Sequence, residues 1–194
     1  MVNSHRGLLI LAFLFVLSAP AFAQDKCSVK AVLGGKPFTM KYCAAAVYEP
    51  SEGKYSVTLY FSDTLLTIRE IAAFHENSFP QDKTEDGKAR TKLHFQFCSG
   101  TGTAPASAAA VKSVDTGVDV AGAPFSGRQW VFDLPKDKDI LKIEKLTGAI
   151  NPGGKVSGRI TGGKLSDGLK YSWEADFDFT LPAKSAFAGQ GCGP

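Results

Sequence analysis

The sequence predicts an all-β protein, an antiparallel β-sandwich of about eight strands with one short helix. The clearest observation is the stretch 169–181, in which every second residue is apolar and the residues between them are charged or carry hydroxyl groups. Successive side chains of a strand point to opposite faces, so this alternation is typical of a strand with one buried face. Shorter alternating segments recur along the chain, and only one segment carries the start signals of a helix.

The same strands could also close into an up-and-down β-barrel, which is the alternative fold. In a barrel the inward aromatic residues would line a cavity, whereas in a sandwich they would fill the core between two sheets. Uneven strand lengths, the inserted helix and the long uncharged segment 99–110 favour the sandwich.

The first residues carry the marks of a secretory signal peptide. Arg6 precedes an apolar run over 8–17, and an A-x-A cleavage site follows at 21–23. We therefore predict a signal peptide over 1–23 and one mature domain over 24–194, whose length suits a single core. Since no second stretch is long and apolar enough to span a bilayer, we expect no transmembrane segment after cleavage and an exported protein, periplasmic or extracellular.

The charge balance argues against some kinds of partner. The chain has 22 Lys and Arg residues against 19 Asp and Glu residues, and removal of the leader takes away only Arg6. A balance so near neutral gives no electrostatic footprint for nucleic acid and no polybasic patch for a membrane surface. We expect no nucleic acid and no cofactor; the partner is expected to be an unknown protein or a small-molecule ligand.

Four cysteines follow the expected cleavage site, and an even number in an exported chain indicates two disulfides. Cys27 and Cys43 flank a hairpin pattern whose tip is expected at 34–36. A three-residue loop there would place the two cysteines opposite each other across the ladder. Cys98 and Cys192 would then form the second disulfide. A metal site is the competing use, but there is no C-x-x-C and no histidine at ligand spacing.

The remaining strands are predicted in chain order from alternation and from turn residues. The second strand of the first hairpin is expected to continue as one strand over 38–48, and a third strand follows over 55–62 after a polar turn. Later strands are expected at 92–98, 114–120, 130–134, from 141 onward, at 155–161 and at 169–181.

The single helix is predicted over 68–75. Thr67 and Glu70 have the spacing of a capping box, in which each side chain bonds the other residue's backbone amide. Leu66 and Ile71 occupy the two positions of a hydrophobic staple. Because two turns of helix do not persist alone in water, the helix should lean on the sheet, as a plug over an open end of the β-structure.

The last hairpin, 155–161 with 169–181, can be assigned a register from its side chains. A turn tip at Ser166 and Asp167 places opposite charges across from one another on one face and apolar residues on the other. The pairs predicted on the charged face are Arg159 with Glu174, Lys155 with Asp178, and Ser157 with Asp176.

An acidic stripe on this hairpin, Glu174, Asp176 and Asp178, is the first candidate site. Three carboxylates at alternate strand positions could hold Ca²⁺ or serve as an acid and a base. Cross-strand Arg159 and Lys155 give a structural explanation for two of them. Asp176 is then the remaining candidate, since it is expected opposite a neutral residue.

The histidines offer a second candidate. His75, expected at the helix C-terminus with acidic residues nearby, could serve a hydrolytic site. His94 shares the outward parity of Lys92 and Gln96, so we expect it to face solvent. The sequence shows no G-x-S-x-G, S-x-x-K or H-E-x-x-H pattern, so serine-hydrolase and zinc-protease chemistry lack their usual marks.

These observations favour a non-enzymatic binding or interaction module of the bacterial periplasm or cell exterior. The loops at one end of the sandwich are the default binding surface. Two alternatives remain: a carrier of an apolar small molecule in a β-barrel, and a hydrolase that uses His75 or the stripe of Glu174 and Asp176. No catalytic, cofactor-binding or metal-ligating residue is assigned.

Overall fold

The computed structural model describes residues 26–51, 54–67, 69–71, 83–84, 86–98, 110–122, 127–149 and 152–183. In chain order the strands are β1 Lys26–Leu33, β2 Lys36–Met40, β3 Tyr42–Ser51, β4 Lys54–Ser62, β5 Lys92–Cys98, β6 Ser113–Asp119, β7 Arg128–Asp133, β8 Leu141–Gly148, β9 Lys155–Ser166 and β10 Leu169–Thr180. A short helix, α1 Leu134–Asp137, lies between β7 and β8, and residues 69–71 are also helical. The expected leader lies outside the described residues.

The strands form two antiparallel sheets of five strands each. The first sheet has the order β2-β1-β10-β9-β8, and the second has the order β3-β4-β5-β6-β7. Because the described strands form two separate sheets that pack face to face, each with two edge strands, the fold is a β-sandwich and not a closed barrel. The predicted fold class is confirmed, and the described part of the chain alone has ten strands where about eight were expected.

The core lies between the two sheets and is rich in aromatic residues. Apolar side chains of β10 face it, as the alternation over 169–181 predicts, and Ala175 and Phe179 are fully buried. Several pairs of rings meet across the two sheets; their centroid distances include 5.8 Å for Phe95–Trp173, 6.0 Å for Phe61–Phe179 and 6.3 Å for Phe97–Phe177. Side chains therefore fill the space between the sheets, as in an ordinary packed core.

The first hairpin turns through two residues and not three. Gly34 and Gly35 have φ angles of 60° and 82°, and Leu33 pairs with Lys36. Two residues with positive φ form the type I′ turn that matches the twist of the flanking strands, and glycine adopts this conformation without steric cost. The predicted three-residue loop, and the register derived from it, are therefore wrong.

The predicted disulfide between Cys27 and Cys43 is nevertheless present, with a Cα–Cα distance of 6.3 Å. The expected strand over 38–48 is in fact two strands, because the chain leaves the first sheet at Lys41 and continues as β3 in the second. The disulfide thus joins the two sheets rather than the two strands of one hairpin. Cys98 is also disulfide-bonded. Its expected partner, Cys192, lies outside the described residues, so that pairing stays a prediction.

The last hairpin turns at Asp167 and Gly168, one residue later than predicted. Their φ angles are 52° and 74°, and Ser166 pairs with Leu169. An Asp-Gly pair tolerates the two positive φ angles of a type I′ turn, whereas the expected Ser-Asp tip does not. The true register differs from the predicted one by two residues. Each side chain therefore keeps its expected face but has a different opposite residue.

The start of the predicted helix is confirmed, and its expected continuation over 72–75 lies outside the described residues. Its expected place, over an open end of the β-structure, is wrong. The Thr67 amide donates to Glu70 Oε2 at 2.9 Å, and the Glu70 amide donates to Thr67 Oγ1 at 3.1 Å, which completes the capping box. Ile71 and Leu66 join an apolar cluster with Tyr60 and other residues on the outer face of the second sheet. The described part of the helix therefore covers a sheet face, and does not plug an open end of the β-structure.

Candidate functional site

The acidic stripe of β10 lies on the outer face of the first sheet, where Glu174 and Asp176 are exposed and Asp178 is half-buried. Arg159 of β9 lies directly opposite Asp176, which corrects the expectation that Asp176 faces Ser157. The Arg159 guanidinium contacts Glu174, and its Nη1 lies 3.6 Å from Asp176 Oδ1. Two of the three carboxylates thus share one guanidinium.

Basic residues flank the stripe on both sides. Lys30 of β1 pairs with Glu174 in the ladder, and Lys155 Nζ lies 3.3 Å from Asp178 Oδ2. The predicted ion pairs, Arg159 with Glu174 and Lys155 with Asp178, therefore form along diagonals, because same-face residues offset by two positions are still within reach. Such exposed pairs contribute about 0–1 kcal/mol each. The stripe is explained as the charged outer surface of a structural strand.

The candidate His75 and the second histidine of the mature chain, His94, have different outcomes. His75 lies outside the described residues, so a role for it stays a prediction. His94 does not face solvent as expected: it is half-buried and lies against the backbone of Gly117, where an added Cβ would be 2.0 Å from His94 Cε1. Its ring is 5.8 Å from that of Tyr60. Burial, together with the nearby Lys92 charge, lowers the pKa of His94 to about 3, so the imidazole is neutral near pH 7.

Polar side chains also lie on the outer face of the second sheet, against the segment 63–71. We call this group the covered layer; it comprises Tyr48, Tyr60, Glu70, Arg90, Lys92 and Asp119. Arg90 and Lys92 are fully buried. Buried charges are costly unless they are paired and hydrogen-bonded, so their partners determine whether the layer stabilises the fold.

Arg90 joins the segment 63–71 to the sheet. Its Nη2 lies 2.6 Å from Glu70 Oε1 and donates to the Leu65 carbonyl at 3.1 Å. Its Nε donates to Thr64 Oγ1 at 3.0 Å. One guanidinium thus contacts both the helical turn and the chain that precedes it.

Lys92 and the two tyrosines form the other half of the covered layer. Lys92 Nζ lies 3.2 Å from Asp119 Oδ2 and 5.7 Å from the centre of the Tyr60 ring. The hydroxyl groups of Tyr60 and Tyr48 lie 2.7 Å apart. The Lys92 ammonium and the two phenol groups therefore find partners within their own chain.

Burial determines the protonation of these groups. It lowers the pKa of Lys92 to about 8, against the opposing effect of Asp119, and Lys92 therefore remains charged at pH 7. Burial also raises the pKa of Tyr48, and raises that of Tyr60 well above its ordinary value. Both phenols stay protonated and can hydrogen-bond to each other. The covered layer is explained by its structural role, which is to fasten 63–71 to the sheet.

Sequence reasoning missed the covered layer because it expected the outward residues of β5, among them Lys92 and His94, to face solvent. A signal was present, since seven outward positions of β3 and β4 form an uncharged run; they are Ala44, Ala46, Tyr48, Ser56, Thr58, Tyr60 and Ser62. A sheet face without charge over two strands indicates that something covers it.

Three of the four sheet edges are protected against pairing with another chain. Strand β2 has only five residues and begins with Lys36 and Pro37. Strand β8 has a bulge between Glu144 and Thr147 and several charged side chains. In β3, residues 46–48 are at most 1% exposed. Short length, proline, charge, bulges and coverage are the ordinary means of blocking an edge.

Within the described ranges, the fourth edge, β7, lacks these protections at its centre. Gln129 and Val131 are exposed, with Val131 at 68% of its maximum, and the residues 129–131 contain neither lysine nor proline. Val131 is one of four large apolar side chains, among those described, that remain exposed; the others are Leu65, Ile140 and Leu165. An uncharged, solvent-exposed strand edge is a template for another strand.

Among the described residues, backbone hydrogen bonds show which groups of β7 are not used by the ladder with β6. The Leu134 amide donates to the Lys112 carbonyl of the preceding chain segment at 3.0 Å. Since the direction of the backbone groups alternates along a strand, the N–H and C=O groups of Gln129 and Val131 point away from β6. Asp133 shares this direction, but its amide already donates to Asp137 Oδ2 at 2.8 Å.

Charges at both ends of β7 are neutralised within the chain. Arg128 Nη2 lies 2.6 Å from Asp167 Oδ2, and Lys136 Nζ lies 2.8 Å from Asp133 Oδ2. The free edge between them is therefore an uncharged row of backbone donors and acceptors. This edge is the candidate interaction site.

The described residues offer neither a metal-ion cluster nor a membrane-spanning helix. In that part of the chain no three or more His, Cys, Asp or Glu side chains group together so as to hold a metal ion. Across the same residues, no helix has both the length and the hydrophobicity needed to cross a membrane.

No family model, no curated protein and no solved structure matches this chain. The class of protein is therefore defined by the fold and the candidate site alone. It is an antiparallel β-sandwich with a covered layer on one sheet and a free strand edge at β7.

Proposed function

We propose that this chain is an exported binding module that takes an extended segment of a partner protein as an added strand beside β7. Export is supported by the disulfide between Cys27 and Cys43, since disulfides persist mainly in oxidising compartments outside the cytosol. The expected leader over 1–23 supports it as well.

The observation that carries the proposed binding mode is the pair of outward-facing residues Gln129 and Val131. Their backbone N–H and C=O groups point away from β6, and Val131 is 68% exposed. In strand addition, main-chain hydrogen bonds give affinity and alternate side chains give specificity. The proposed surface is therefore an edge, and not the loops that the sequence suggested.

The other two functions receive less support. Aromatic contacts such as Phe95–Trp173 and Phe61–Phe179 fill the space between the sheets, which favours a surface site over an interior one for an apolar ligand. Arg159 holds both carboxylates that a hydrolase would use on β10. The carrier and the hydrolase stay hypotheses without a described site.

A capture experiment tests the proposed function. The mature protein, immobilised through an engineered C-terminal tag, is exposed to the secreted and envelope proteins of the organism that encodes it. Any retained protein is purified, and its dissociation constant is measured for the parent, for Val131→Lys and for Leu165→Lys. Leu165 is the matched control, because it is 71% exposed and lies on the other sheet.

We expect Val131→Lys to weaken binding at least about tenfold, since a lysine on the edge opposes strand pairing. Leu165→Lys should bind like the parent. Equal dissociation constants for the parent and Val131→Lys would contradict the proposal, as would the same loss in both variants.

A further inference from the structure

We propose that the strand added to β7 is β7 of a second copy of this chain, so that the two second sheets join into one ten-stranded sheet around a two-fold axis. This inference rests on the proposed function, because it names the occupant of the same edge. Two-fold dimers use the same patch on both subunits, so the patch must be complementary to itself.

The backbone of β7 meets this requirement. Each chain offers two N–H and two C=O groups at the free edge, those of Gln129 and Val131. If the two-fold axis passes beside Trp130, Gln129 of each copy lies opposite Val131 of the other. These are hydrogen-bonded pairs of an antiparallel ladder, and they use all four groups of both chains.

A register shifted by two residues would leave some backbone groups without a hydrogen bond between the two copies. With Val131 on the axis, Gln129 of each copy would lie opposite Asp133 of the other. The Asp133 amide already donates to Asp137 Oδ2 at 2.8 Å, so it has no hydrogen left for the second copy. The Gln129 carbonyl would then remain unpaired, and we therefore assign the axis to Trp130.

Side chains near the axis favour the same arrangement. Trp130 is half-buried, and its ring packs against Tyr171 with a centroid distance of 4.9 Å. On the axis, the two Trp130 residues would form a non-hydrogen-bonded pair, in which side chains are closest and aromatic pairs are favourable. Val131 would lose its exposure against Gln129 of the other copy, whose side chain is held by Asp115 at 2.8 Å.

Electrostatics do not oppose self-association. Arg128 and Asp133, the charged residues at the two ends of β7, are each paired within their own chain, with Asp167 and Lys136. A second copy therefore brings no uncompensated like charge to the edge. An unrelated partner would need an equally neutral strand, which the second copy already supplies.

Sedimentation velocity over a series of protein concentrations, up to about 1 mM, tests the dimer. We expect the apparent mass of the parent and of the control Leu165→Lys to rise with concentration toward twice the monomer value. Val131→Lys and Val131→Pro should each raise the dimer dissociation constant at least about tenfold. Proline removes only an outward N–H, and edge strands tolerate it there, so Val131→Pro separates lost pairing from lost folding.

Disulfide cross-linking tests the register. Gln129→Cys and Val131→Cys chains are prepared separately and then mixed under mild oxidation. The proposed register places position 129 of one copy opposite 131 of the other, at a Cα separation of about 5.5 Å that suits a disulfide. We expect a cross-linked dimer from the mixture and little from either variant alone. A strong cross-link from Val131→Cys alone would instead indicate the shifted register and overturn the assignment of the axis to Trp130.

The outcomes separate this inference from the proposed function. A parent that stays monomeric throughout, or a dimer unaffected by both Val131 variants, overturns the inference. If the parent is monomeric but a retained protein binds it in a Val131-dependent way, the proposed function stands with a different occupant. If no retained protein and no dimer depends on Val131, both fail.

Discussion

His94 lies flat against Gly117 because a glycine at that position leaves room for the imidazole. The covered Nδ1 of His94 has no hydrogen-bond partner among the described residues. Lys92, whose charge also disfavours the protonated imidazole, follows the same outward parity of β5 and is itself fully buried. Since the protonated form is penalised by both burial and a like charge, this one residue makes stability depend on pH.

We expect acid to destabilise the protein through His94. Its pKa is about 3 in the folded chain against 6.5 for an ordinary histidine. Between these values the unfolded chain binds the proton and the folded chain does not. The part of the unfolding free energy that depends on a neutral His94 is therefore fully present above pH 6.5. It is lost as the pH falls toward 3, at up to about 1.4 kcal/mol per pH unit.

Urea unfolding of the parent and of His94→Gln from pH 7 to pH 3.5 measures this effect. Glutamine does not titrate, so the carboxylates shared by both proteins cancel in the difference. As the pH falls, the parent should steadily lose unfolding free energy relative to His94→Gln. If the two pH profiles are parallel, the imidazole is protonated equally in both states and the explanation is wrong.

At the scale of elements, the segment 63–71 is joined to the second sheet by both polar and apolar contacts. The capping box of Thr67 and Glu70 starts the helical turn, and Ile71 packs against the outer face of the sheet. The Glu70 carboxylate thus has two roles: it accepts from the Thr67 amide and binds Arg90. The position of the segment therefore depends on Arg90.

We expect Arg90→Met to destabilise the fold by about 3–5 kcal/mol, because the buried Glu70 carboxylate would lose its guanidinium. Arg159→Met is the matched control. Arg159 is 37% exposed and also contacts carboxylates, so its loss should cost at most about 1 kcal/mol. Urea unfolding at pH 7 measures both.

Adding Glu70→Gln to Arg90→Met tests whether the unpaired Glu70 carboxylate causes the loss of stability in Arg90→Met. Glutamine keeps the capping box but removes the buried charge, so the double variant should recover part of the lost stability. If Glu70→Gln instead adds its full cost to that of Arg90→Met, the two residues do not act as a pair.

The hairpin of β9 and β10 shows which properties of an element the sequence could predict and which it could not. Alternation fixed the buried face of β10 correctly, because a period of two is a local property of a strand. The expected turn tip is one residue too early, because Asp167 and Gly168, and not Ser166 and Asp167, adopt the two positive φ angles of the turn. The predicted ion pairs of Arg159 and Lys155 still form, because long side chains reach along diagonals.

At the scale of the whole molecule, sequence patterns did not show which strands share a sheet. Residues 38–48 alternate almost without interruption, yet the chain changes sheets at Lys41. Coverage of the outer face and exposure of the β7 edge follow from that assembly, so the candidate site at Val131 could not be found from local periodicity. The chain passes from one sheet to the other at both lateral edges of the sandwich. Lys41 links β2 to β3, and α1 lies between β7 and β8.

The disulfide between Cys27 and Cys43 stands beside the first of these connections and holds the two sheets together. Its cysteines are 16 positions apart, and closing a loop of this length stabilises a protein by about 3 kcal/mol, chiefly by restricting the unfolded chain. Both cysteines pack against the core, so alanine at these positions also removes some buried contact.

We therefore expect the double variant Cys27→Ala/Cys43→Ala to fold but to lose about 3 kcal/mol of unfolding free energy. Urea unfolding followed by tryptophan fluorescence measures this loss, because Trp130 and Trp173 lie on different sheets and their rings are 6.5 Å apart. The dependence of the free energy on urea should steepen, since an unfolded chain without the cross-link exposes more surface. An unchanged midpoint and slope would mean that the sandwich holds its two sheets together without this bond.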